Sequence, residues 1–128
     1  MRYLMCAGFL VHAVAHFVGF VVPWRLVELE EAPYKTSQLA GTLDVGDLGM
    51  RIVGILWLLG ALAFTLAGIG VLLGAPWWPT LAVYAGLFSL ILSVFGWPES
   101  RYGVFINIAL VVFLLIGGSR GWLPPVPG

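Results

Sequence analysis

His12 and His16 stand four residues apart in a stretch, Tyr3 to Val22, that holds no charged residue. On a helix that spacing stacks two imidazoles on one face. An imidazole changes charge near neutrality, so such a pair suits proton transfer as general acid or base. Asp47 and Arg51 repeat the spacing at what reads as the start of a second helix. Asp47 there meets the positive end of the helix dipole, and Arg51 is placed to hold a carboxylate or a developing oxyanion. Glu99, Gly103 and Asn107 form a third four-residue series, and Gly86, Ser89, Ser93 and Gly96 line a fourth stripe. The expected acids and bases are therefore His12, His16, Asp47 and Glu99. Arg51, Asn107 and Ser89 would orient a polar group, and Trp57 and Tyr102, with Phe17, Phe20 and Phe95, would wall an apolar space.

Each of these patterns has a structural counterpart. Asp47 and Arg51 are also what an ordinary salt bridge looks like, and Glu99 after Pro98 also simply opens a helix. The histidines can be satisfied by Asn107, Ser89 or backbone. Two histidines one turn apart could begin a metal site with Glu99 or Asp47 as third ligand, but no further histidine exists. One helix turn cannot place ligands on opposite faces of a haem. The reading adopted has no metal and no cofactor, and Cys6, the single cysteine, is a small buried hydrophobe.

The elements that must position these groups follow from composition. A chain of 128 residues, 61% hydrophobic and 9% charged, cannot cover a globular surface with polar groups. A bilayer-spanning helix needs about 20 apolar residues. Four stretches qualify, approximately 3–22, 48–73, 77–95 and 102–116, which predicts an all-α, antiparallel four-transmembrane-helix bundle in a single integral membrane domain, 1–128. Met1-Arg2 and Ala13-Val14-Ala15 resemble the ends of a signal peptide, but the two histidines inside the apolar run favour a retained span. Zero net charge and six scattered basic residues argue against a nucleic-acid partner.

The connection from Pro23 to about Gly46 is the one long loop, and its length predicts a lid, a binding loop or a short interfacial helix. Arg25, Lys35, Arg51 and Arg101 fall on its side of the bundle, against Arg2 and Arg120 on the other, which leans toward cytoplasmic loops. The Gly/Pro-rich tail after Gly117 reads as an end, with Trp122 on the surface. Counted from the loop side at about 1.5 Å per residue, His16, Asn107 and Ser89 come out at similar depth. Polar groups are costly in a bilayer, so one shared pocket opening toward the long loop accounts for them together. The same stripes also serve as packing seams.

Arg51-Ile52-Val53-Gly54 opening an apolar helix, and Trp97-Pro98-Glu99 followed by Gly103 and Asn107, resemble the small four-helix DoxX-like bacterial membrane proteins over about a fifth of the chain. The architecture also resembles four-helix lipid isomerases of the emopamil-binding type. It is less similar to small multidrug exporters, whose first-helix carboxylate is missing here. The resemblance implies a multi-pass protein of a bacterial cell membrane and supplies no catalytic residue.

The leading expectation is a membrane-embedded enzyme that performs cofactor-free acid–base chemistry, such as isomerisation, epoxide opening or cyclisation, on a lipophilic small molecule. A non-catalytic assembly subunit, including a homo-oligomer, and a small transporter or channel protein are the alternatives.

Overall fold

The structure, a computed structural model, describes residues 1–126. Four helices carry nearly all of it: α1 (Arg2–Val21), α2 (Gly46–Leu73), α3 (Trp78–Phe95) and α4 (Arg101–Arg120). All four are long and apolar enough to cross a membrane, and the chain is a multi-pass membrane protein in the form of a four-helix bundle. Two-residue strands β1 (Ser37–Gln38) and β2 (Leu43–Asp44) pair antiparallel within the long loop.

The helix ends follow local chemistry. α1 stops before Pro23, which cannot donate to the helix. α2 closes on Gly74 and α4 on Gly121, both left-handed (φ 65° and 70°), a conformation that costs glycine nothing. α4 therefore runs four residues past the expected end at 116. Gly117 and Gly118 do not break it, because Leu123 folds back against both. At 28 residues α2 is about 42 Å long, more than the hydrocarbon core needs. Its first turns thus stand in the headgroup zone with Asp47 and Arg51.

α1 lies along α2, α2 against α3, and α3 against α4, whereas α1 and α4 hardly touch. The core occupies the half of the bundle away from the long loop. Phe9, Phe64, Val71, Trp78 and Leu114 fill it, with Phe9 stacked on Phe64 at 6.2 Å between ring centroids. Phe64 and Trp78 in this aromatic plug are fully buried.

The long loop forms neither a free linker nor an interfacial helix. Its hairpin tip, Leu39-Ala40-Gly41, is left-handed throughout (φ 49°, 54° and 80°), a conformation that costs the two non-glycine residues about 1–3 kcal/mol each. Docking offsets that cost. The Leu39 N–H donates to the Phe95 carbonyl (2.9 Å) and the Ala40 N–H to the Trp97 carbonyl (2.8 Å). Carbonyls at and just beyond the end of α3 have no helical partner of their own, so the loop is strapped across the bundle mouth by groups each side needs satisfied.

Candidate functional site

Beneath this strap lies a cavity of about 340 Å³. His12, His16 and Gly19 of α1, Met50, Val53 and Trp57 of α2, Ser93 of α3 and Gly103, Ile106 and Asn107 of α4 line it. Tyr34, Lys35 and Gln38 of the loop cover it, and Glu99, Ser100 and Tyr102 complete its rim. Trp57 stands deep, as its place six residues inside Arg51 predicts, with its ring 5.1 Å from that of His16. Phe64, behind the cavity wall, packs against both imidazoles, 4.4 Å from His12 and 5.0 Å from His16 between ring centroids.

The inner wall is a closed ring of hydrogen bonds whose direction can be worked out atom by atom. Asn107 Nδ2 lies 2.7 Å from the Gly103 carbonyl, which only accepts, so the amide nitrogen faces that way and Oδ1 faces His12. His12 Nε2 must then donate to Asn107 Oδ1 (3.0 Å). The second Asn107 N–H donates to Ser89 Oγ (2.7 Å), and the Ser89 hydroxyl donates to His16 Nε2 (2.5 Å). His16 Nδ1 donates to the His12 carbonyl (2.8 Å), which closes the circuit. The ring is complete with both imidazoles neutral, and every hydrogen in it has an acceptor. His12 Nδ1 alone among the ring nitrogens has no partner among the described residues. Ser89 and Asn107 are fully buried, and Ser89 supports the wall from behind rather than facing the cavity.

Asp47 and Arg51 are placed elsewhere. They do not pair with each other. Asp47 Oδ1 accepts from Arg25 Nη2 (2.9 Å) and from the Tyr34 hydroxyl (2.5 Å), and Arg25 also lies over the Tyr34 ring at 4.1 Å. The i,i+4 partner loses because loop residues approach the carboxylate from above, and two long exposed side chains on one helix gain little by meeting in water. Arg51 points outward, 5.7 Å over Trp24, whose indole N–H donates to the Arg51 carbonyl (3.0 Å). Both residues hold the strap and stand outside the cavity. Phe17, Phe20 and Phe95 also stay off its wall; Phe17 and Phe20 pack on each other at 5.7 Å on the outer face of α1.

Lys35, Gln38 and Tyr34 enter from the loop, where no periodicity could place them. Ser93 is fully buried, lines the cavity, and its hydroxyl has no partner among the described residues. The stripe of Gly86, Ser89, Ser93 and Gly96 carried its signal. Among the described residues no three His, Cys, Asp or Glu side chains gather as a metal site would require.

Lys35 Nζ donates to Glu99 Oε1 (2.5 Å), with both side chains about one-third exposed, and so ties the loop to the connection between α3 and α4. The lysine hydrogen bond holds the Glu99 carboxyl below the usual range despite some desolvation. A depressed carboxyl stabilises the fold fully above its ordinary range, and that contribution is lost as pH falls through the depressed value. Acidification from about pH 7 to about pH 3 is therefore expected to lower the melting temperature of the wild type more than that of Lys35→Met. The difference corresponds to at most about 1 kcal/mol, discounted for solvent screening. Parallel acid profiles for the two proteins would show that the latch contributes nothing.

No family model, curated protein or solved structure matches the chain.

Proposed function

We propose that the chain is a membrane-embedded isomerase of a bacterial cell membrane that moves a proton within a lipophilic small molecule without a cofactor. The observation that carries this reading is the cavity-lining His12, whose Nδ1 has no partner among the described residues while the hydrogen-bond ring beside it engages its Nε2, both nitrogens of His16, the Asn107 amide and the Ser89 hydroxyl. Asn107 holds His12 in the tautomer that leaves the Nδ1 lone pair available, as the orienting member of a catalytic triad does for its histidine. In the forward step the substrate C–H bond breaks and its proton forms the Nδ1–H bond. The electron pair moves into the substrate's conjugated system, and the same proton returns at another carbon. Atoms balance with one base and no co-reactant. The buried Ser93 hydroxyl is free to donate to the substrate oxygen that gains charge. Epoxide opening and cyclisation fit less well, because of the two carboxyls expected as acid or base Asp47 stands outside the cavity and Glu99, on its rim, is engaged by Lys35.

A second reading, a non-catalytic assembly subunit, draws support from the same ring, since complete satisfaction of buried polar groups is also what a packing seam needs. Deuterium separates the two. Lipophilic molecules extracted from the purified protein are added back in heavy water, and deuterium uptake at carbon is followed by mass spectrometry. The wild type is expected to catalyse uptake and His12→Gln to lose it by about 10²–10⁴-fold, with an unchanged melting temperature. A wild type that yields only bulk lipid and no exchange, with His12→Gln impaired only in stability or association, would give the subunit reading the field.

A further inference from the structure

The cleft between α1 and α4 reaches the same histidine from the lipid side. A groove of about 200 Å³ runs along it, lined by Met5, Gly8 and Phe9 of α1 and Leu110 and Phe113 of α4. It shares His12 and Ile106 with the cavity under the strap. The same two residues therefore wall both spaces, and one of them is the imidazole whose Nδ1 has no partner among the described residues. From Met5 to Val22 the α1 residues that line one space or the other span about 25 Å, most of the hydrocarbon thickness.

We propose that this cleft is a binding site for the hydrocarbon tail of a neutral single-chain lipid, whose oxygen-bearing end lies in the cavity beside His12 and Ser93. Three observations support it. The other neighbouring helix pairs close on each other, and this one does not. Apart from His12 the groove is wholly apolar, and in a bilayer the medium pressing on such a surface is hydrocarbon chain. Lys35 and Glu99, among the described residues the only carboxylate and ammonium side chains lining the cavity, neutralise each other, so an uncharged hydroxyl or carbonyl head meets no unpaired charge. The inference rests on the proposed isomerase reading for what happens at the head, but the tail site can stand or fall without it.

The test uses the full chain in phosphatidylcholine vesicles with hexadecanol that carries a mid-chain diazirine. After irradiation, labelled residues are mapped by mass spectrometry. Label on Met5, Gly8, Phe9, Leu110 and Phe113 is expected to exceed label on Leu59 and Ile91, exposed apolar residues of α2 and α3, by about tenfold, because a shaped site is enriched only through an affinity above that of bulk lipid. Gly8→Trp should fill the groove and remove the excess while leaving control labelling alone, and a Cβ at Gly8 has no atom within 4 Å, so the backbone need not shift to admit the side chain. Even labelling of all exposed positions, or an excess that survives Gly8→Trp, would overturn the proposal. So would oxidation of Gly8→Cys to a dimer in the vesicles, which would assign the cleft to a second copy. Label confined to the cleft in a protein that shows no deuterium exchange would keep the tail site and reject the isomerase. Even label with exchange intact would do the reverse.

Discussion

Replacement of Asn107 by alanine is expected to cost about 2 kcal/mol of stability and, if turnover is measured, about 10²–10⁴ in rate. The stability figure comes from the groups left behind. His12 Nε2–H, on a half-buried ring, loses its acceptor, and the fully buried Ser89 Oγ loses a donor. A buried unsatisfied group costs about 1–3 kcal/mol, and side-chain hydrogen bonds inside membranes about 0.6–1.7 kcal/mol. The Gly103 carbonyl loses a second donor only, because α4 still supplies its helical one. The rate figure comes from the tautomer. Without Oδ1 to accept from Nε2, the proton of neutral His12 is free to sit on Nδ1, where it occupies the lone pair that the proposed base uses.

Asn107→Asp separates these two contributions. The carboxylate still accepts from His12, so part of the stability returns. It can no longer donate to Gly103 or Ser89, and its charge favours a protonated His12 ring. The expected result is intermediate stability with the acidic limb of the rate profile, where the base must lose its proton to act, moved to higher pH. Recovery of stability with no movement of the profile would show that Asn107 only packs, and would remove the argument for His12 as the base.

The bundle itself was legible because a bilayer enforces a simple rule: long apolar runs become helices, and polar residues within them must find one another. Spacing therefore put His12 with His16, and depth counted along the helices put Ser89 and Asn107 at their level. The failures came where that rule stops. Asp47 and Arg51 lie in the part of α2 that stands outside the hydrocarbon. There water competes for every charge, and the winning partner, Arg25, approaches from a loop with no periodicity. Lys35 and Gln38 were unreadable for the same cause, since their place depends on a strained hairpin tip docking on α3. The run of α4 through Gly117 and Gly118 depended on Leu123 folding back, a tertiary contact that overrides weak local propensity.

Small residues in the stripes were readable as seams, but what each one faces was not, and here a second large effect is expected. Gly60 lies against the His16 ring: a methyl group there would sit 2.8 Å from His16 Cδ2. Gly19 stands in the same relation to the Trp57 ring, which itself packs on His16. The two glycines let α1 and α2 approach until one imidazole is held between an indole and the Ser89 hydroxyl. Gly60→Ala must move His16, and His16 cannot move without stretching its 2.5 Å contact with Ser89 or its 2.8 Å contact with the His12 carbonyl. The expected cost is about 1–3 kcal/mol, the usual range for overpacking. Part of it belongs to the imidazole rather than to the backbone, so Gly60→Ala should cost less in a His16→Ala protein than in the wild type, with a coupling of about 0.5–3 kcal/mol between contacting sites. Denaturation of the two singles and the double in one detergent measures it. Strict additivity would mean that the helices yield while the histidine stays in place. The hydrogen-bond ring would then be stiffer than the helix seam behind it, and the close approach at Gly60 would serve helix packing alone.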